Sequence, residues 1–248
     1  MKYLIALVLG LLVGNVCVAE TAVSADATDQ REKTSALPAE VDLRPELNKR
    51  NLGPRRQGHR GTCSVFTTAA AMEFALSKQQ DKSVLLSVEY LNWGCNQVIN
   101  NDRDRGQFFH NLLEGFEKFG VCLESEMPYR RNFDATYQPS ESAQERARTI
   151  NADCFKIHWI KQLNRRSGGA GLREDQFEEV KRVLAAGWPV ASGASHSRLL
   201  VGYKDDATSP GGGIFYTKDS GLGRYDEVTY EFAKTQINDA FWVEPLRD

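Results

Sequence analysis

Apolar residues recur at helical spacing in the first half of the chain and at strand spacing in its last third. Residues 65–77 are a run of helix formers, and Phe108, Phe109, Leu112, Leu113, Phe116 and Phe119 share one helical face before Gly120 ends that pattern. Such a face is a core face, not a cofactor stripe. A third helix is predicted over 176–186, where Phe177, Val180 and Leu184 come together ahead of Gly187. Residues 155–159, 199–203, 214–218 and 227–232 are instead alternating, β-branched or aromatic, and are predicted strands. Helices gathered early and strands gathered late predict an α+β protein of two lobes. Residues of about 51–150 form the helical lobe; 37–50 and 151–248 form the strand-rich one.

The chain starts differently. Lys2 precedes an apolar run over 3–18 that closes on Ala19 and Glu20, the pattern of a signal peptide cleaved after residue 19. The run is marginal in length for a membrane span, and Val16 disfavours lipid attachment at Cys17. Residues 20–36 are small and polar and read as a flexible leader. Export allows disulfides, and removal of Cys17 leaves Cys63, Cys95, Cys122 and Cys154. If one of these is a reactive thiol, at most one bridge forms among the other three. A net charge of −2 without a long basic block gives no electrostatic basis for binding nucleic acid or, once the signal is removed, a membrane.

Candidate chemistry centres on Cys63. A thiol attacks a carbonyl as thiolate, so a catalytic cysteine needs a helix N-terminus or an imidazole to lower its pKa. Thr62 is a candidate N-cap, which would place Cys63 in the first turn of the helix over 65–77. Of the four histidines, His110 and His158 are expected on solvated faces and His59 in a short loop, whereas His196 opens an apolar strand. Asp219 ends the strand over 214–218. An antiparallel return through the loop over 205–213 would bring it beside His196, to orient the imidazole as a third group.

Read with their flanks, these residues resemble the papain family of cysteine peptidases. The likeness is carried by 37–44, by Gln57-Gly58 with 61–66, by 86–91, by Gly120-Val121, Glu124-Ser125 and Pro128-Tyr129, by 196–203 and by Lys218-Asp219-Ser220. It covers most of the chain from Leu37 onward. His196 and Asp219 follow Cys63 at close to the family's roughly 130–150 residues. The resemblance implies a papain-like fold with a helical lobe led by the Cys63 helix, a barrel-like strand lobe carrying His196, and a peptide-binding groove between. It implies Cys63 as nucleophile, His196 as base and Asp219 as orienting group. Gln57 and the Cys63 amide would be the oxyanion donors, and Gly106 would pair with the substrate backbone. No cofactor is implied.

Several positions depart from the family. Asp219 stands for the usual asparagine, Gly221 and Ser64 stand for tryptophans, and Arg60 stands where a disulfide cysteine is common. The stretch between Pro189 and His196 is short, so part of the groove wall is expected to be missing. Arg105 takes the place of a second glycine and is a candidate contact for an acidic substrate side chain, its alternative being a solvated rim residue. Asn100, Asp102 and Asp104 mimic a calcium loop, but Arg105 and Asn111 stand where a glycine and a bidentate glutamate are required. No metal is assigned. The leader is too short for a folded inhibitory propeptide, so control is expected from the compartment or a separate protein inhibitor. The expected activity is exported, thiol-dependent endopeptidase action on peptides or proteins. The alternatives are a catalytically silent peptide-binding protein and a cell-wall peptide hydrolase.

Overall fold

The computed structural model describes residues 36–102, 104, 106–163 and 169–246. The signal segment, nearly all of the leader, and Arg105 lie outside these residues. In chain order the elements are β1 (Glu40–Asp42), α1 (Arg44–Lys49), α2 (Cys63–Gln80), α3 (Val88–Ile99), α4 (Phe109–Phe119) and α5 (Glu141–Thr149). After a short 3-10 turn come β2 (Phe155–Lys161), α6 (Glu174–Ala185), β3 (Val190–Gly193), β4 (Arg198–Asp205), β5 (Gly213–Asp219), β6 (Arg224–Thr229), α7 (Tyr230–Gln236) and β7 (Asp239–Pro245). Helices thus dominate the first half and an antiparallel sheet the second, the α+β arrangement expected.

The sheet runs β2-β7-β3-β4-β5-β6, with β1 added on β4. α2 packs against β7, β3 and β4 on one side and against α3 and α4 on the other. Residues Ser64 through Ser77 of α2 are all buried, which is why its apolar residues surround the axis instead of forming a stripe. α3 and α4 cross backbone to backbone, because a Cβ on Gly115 would lie 2.6 Å from the Cys95 nitrogen. Phe109, Leu112 and Phe116 then bury the centre of the face predicted from the sequence, Leu113 and Phe119 are half-buried at its edges, and Phe108 departs from the expectation: it precedes α4 and is 56% exposed.

Two local expectations are corrected. The predicted strand over 227–232 ends at Thr229, whose hydroxyl accepts the Phe232 amide at 3.1 Å and starts α7. The side-chain cap competes with strand continuation and wins at this turn. Thr62 precedes α2 without capping it by its side chain. Its hydroxyl lies 2.7 Å from the Tyr129 hydroxyl, which itself donates to the Gln57 carbonyl at 2.9 Å. The Tyr129 proton is spent there, so Thr62 is the donor of that pair.

Candidate active site

α2 delivers Cys63 in its first turn with the sulfur partly exposed, at the end of the helix where unpaired N–H groups favour negative charge. His196 lies two residues ahead of β4, in the short loop from β3, and not on the strand itself as the sequence pattern predicts. Pairing of β4 with β5 brings the end of β5 alongside this loop, with Leu199 opposite Lys218. The His196 Nε2 atom is 2.9 Å from Asp219 Oδ1. Asp219 is 1% exposed, and its Oδ1 also accepts the amides of Gly221 at 2.7 Å and Leu222 at 3.0 Å.

The charges order this cluster. Burial pushes the Asp219 carboxyl up, but hydrogen bonds from His196 and the Leu222 amide, with the charges of His196 and Arg198, outweigh it and hold the acid well below the usual carboxylate range. An ionised carboxylate only accepts, so Nε2 carries the proton and Nδ1 is left for the thiol. His196 is raised to about 9 by its hydrogen bonds to Asp219 and Cys63, against the opposing effect of burial. Burial likewise pushes the Cys63 thiol up, and hydrogen bonds from the imidazole and from the Ser197 backbone reverse this, leaving it below its ordinary value. Cys95 and Cys122 are driven by burial up to about 12. All four described cysteines are free thiols.

Gln57 is held from both sides. Its Oε1 accepts the Ser220 hydroxyl at 2.7 Å, its backbone amide reaches the Ser220 carbonyl at 3.0 Å, and its Nε2 donates to the Arg60 carbonyl at 2.8 Å. The carboxamide orientation is therefore fixed, and a second Nε2 hydrogen remains for a ligand. A pocket of about 270 Å³ opens beside Cys63, with Gly106 on its rim at φ +82°. A larger concavity of about 890 Å³ is lined by Leu76, Leu85 and Ile150 among others and holds neither a thiol nor an imidazole. Chemistry, not size, selects the smaller one.

The other sequence candidates fall elsewhere. His59 is exposed, and Arg105 lies outside the described residues. His158 lies on strand β2 as expected but is half-buried: it stacks on Trp242 at 4.1 Å and bonds Glu244 at 2.7 Å across the β2–β7 pair. His110 is also partly buried, stacked on Phe108 at 5.6 Å. Both imidazoles find aromatic partners that helix or strand periodicity does not reveal. Asp104 is taken up by Arg60 and Asn92.

Arg198 was not legible as a site residue. Its Nε donates to Asp219 Oδ2 at 2.9 Å, so both carboxylate oxygens are bound. An asparagine in place of Asp219 with its oxygen kept toward His196 would turn its NH₂ group against this donor; the departure at Asp219 and the arginine belong together. Gly221 abuts the imidazole, since a Cβ there would sit 3.1 Å from His196 Cε1. With no side chain at Gly221, the imidazole keeps 26% of its side-chain surface exposed.

A model of the papain family of cysteine proteases matches residues 37–220, more than half of the chain. An uncharacterized peptidase C1-like protein of Acanthamoeba polyphaga mimivirus is 24% identical over 139 residues, which is 55% of this chain but only 42% of that protein. Among solved structures, xylellain, a cysteine protease from Xylella fastidiosa, superposes with a TM-score of 0.66 at 20% identity, covering 86% of this chain and 88% of that one. Digestive procathepsin L 3 of Tenebrio molitor larval midgut gives 0.62 at 16% identity, covering 87% and 72%. The fold is papain-like, and the chain belongs to the papain family of cysteine proteases.

Proposed function

We propose that the protein is an exported, thiol-dependent endopeptidase that hydrolyses peptide bonds through a thioester on Cys63. The observation that carries this reading is the mutual arrangement of Cys63, His196 and Asp219, in which a depressed thiol faces a raised imidazole. His196 takes the Cys63 proton, giving a thiolate–imidazolium pair at the α2 N-terminus. The sulfur attacks the carbonyl carbon of the scissile bond. The resulting oxyanion receives hydrogen bonds from the Cys63 amide and the free Nε2 hydrogen of Gln57. Collapse expels the amine as His196 returns the proton, and water, deprotonated by His196, hydrolyses the thioester. Asp219 keeps Nδ1 aimed at the sulfur and moves no proton. Export is supported by the pattern over residues 1–19.

Gln57→Ala tests the oxyanion role. With one donor removed, kcat for a fluorogenic peptide is expected to fall roughly 10²–10³-fold while KM changes little. An unchanged kcat would leave Gln57 a structural residue, holding Ser220 and Arg60 together.

A further inference from the structure

The pocket beside Cys63 contains an acid that none of these steps uses. Asp239, the first residue of β7, lines it and is 3% exposed. Its Oδ1 accepts the Leu163 amide at 3.2 Å, and no donor is bonded to Oδ2 among the described residues. Lys161 on β2 acts on it electrostatically, but the Lys161 ammonium is directed to the carbonyls of Gly169 and Gly171, at 2.9 and 2.5 Å. The neighbouring parts of β3 and α4, Gly193 and Phe109, bring no charge. Asp239 and Cys63 are the only ionisable residues lining the pocket among those described. Burial pushes the Asp239 carboxyl up to about 6, against the Leu163 amide and Lys161, so the acid is ionised at neutral pH.

The walls complement this charge. Phe109 forms one side, and Phe108, 56% exposed, stands at the rim. Gly193 keeps the space open: a Cβ there would lie 3.1 Å from both the Asp239 Cβ and the Phe109 ring. At about 270 Å³ the pocket is smaller than the roughly 300–1,000 Å³ of sites that enclose a whole small ligand, and suits one side chain. An apolar stem ending in a cation is the side-chain chemistry that fits aromatic walls above a buried carboxylate. A leucine or phenylalanine would cover Asp239 and offer its charge no partner.

We propose that Asp239 makes this pocket a recognition site for a lysine or arginine side chain of the peptide substrate. The inference rests on the peptidase reading, deepens it to a substrate class, and can fail without it. Two fluorogenic series, acetyl-Xaa-Gly and acetyl-Gly-Xaa aminomethylcoumarides with Xaa as Arg, Lys, Leu or Phe, probe the two positions before the scissile bond. In one series the kcat/KM ratio of Arg to Leu is expected to exceed ten in the wild-type protein and to fall at least ten-fold in Asp239→Asn. A ratio avoids the shared titration of Cys63 and His196. In the wild-type protein it should rise several-fold from pH 5 to pH 7.5 as Asp239 ionises, a readout that needs no variant to fold. Calorimetric titration of Cys63→Ala with the same peptides reads binding without turnover, and there too arginine should be favoured only while Asp239 is present. Cleavage of peptides with no basic preference, or with a preference that Asp239→Asn and pH leave unmoved, would overturn the inference and spare the peptidase. Loss of all turnover with Asp239-dependent binding retained would do the reverse.

Discussion

His196→Ala is expected to lower kcat/KM by about 10⁴-fold or more, the largest effect of any single change outside Cys63. Two roles disappear together. The imidazole is the hydrogen-bond partner that holds the Cys63 thiol below its ordinary value against burial, so its loss returns the sulfur to the neutral thiol. In the proposed mechanism it also protonates the departing amine, and general acid–base catalysis alone contributes typically 10²–10⁴-fold. Asp219→Ala should cost less, because the carboxylate orients the base without transferring protons. The pH profile follows from the same pair. The ion pair persists until His196 deprotonates near its raised value of about 9, so the alkaline limb of kcat/KM is expected there and not near 6.5. A raised histidine also stabilises the fold: that contribution is complete below about 6.5 and is lost as pH rises through about 9. Steady-state rates of purified His196→Ala and Asp219→Ala, measured from pH 5 to 10, check both statements. A His196→Ala protein retaining a tenth of wild-type activity would remove His196 from the mechanism.

Arg60→Leu is the change expected to cost most in stability, about 3–5 kcal/mol, the usual penalty for leaving buried charges without their partner. Arg60 reaches Glu89 at 2.6 Å, Asp104 at 2.7 Å and the Arg130 carbonyl at 2.8 Å, and lies over the Tyr129 ring at 4.5 Å. The Glu89 side chain is 5% exposed and that of Asp104 10%, so neither can recover full hydration after the arginine is lost. The Arg60 carbonyl receives Gln57 Nε2, and Asp104 lies two residues before Gly106, so this cluster joins the oxyanion side of the site to the glycine rim. Where many family members use a disulfide, this chain ties the loop with charges, and all of its described cysteines are free. Urea unfolding should show a lower midpoint with an unchanged slope. A shift of less than about 1 kcal/mol would mean that Glu89 and Asp104 find other donors.

Much of the site was legible because its chemistry sits at element ends that sequence marks well. Gly61-Thr62-Cys63 precedes a strong helix-forming run, and the β4–β5 pairing that aligns His196 with Asp219 follows from two apolar strands and a Gly-rich loop. Residues that act through tertiary contact were not legible. Arg198 lies two residues from His196, and a charged residue opening a strand gives no sign that it will close on a buried carboxylate. Asp239 carries no local signal at all; it becomes part of the site only because β7 pairs with β3, placing Asp239 opposite Gly193. The sequence pattern does not mark α3 as a helix although Ser87 caps it, its hydroxyl accepting the Tyr90 amide at 2.9 Å. Gly94 and the β-branched Val98 dilute its helical pattern, and packing against α4 supplies what propensity does not.

In the proposed mechanism one imidazole makes one of the four described thiols reactive. Burial puts Cys95 and Cys122 out of reach and raises them to about 12, whereas Cys63 is partly exposed and depressed. Treatment of the purified protein at pH 7 with a peptidyl vinyl sulfone, followed by peptide mapping, separates these sites. One label per chain is expected, on Cys63, at a rate far above that of a free thiol and reduced to the free-thiol rate in His196→Ala. Labelling of Cys63 no faster than a free thiol, or equally fast without His196, would contradict that mechanism.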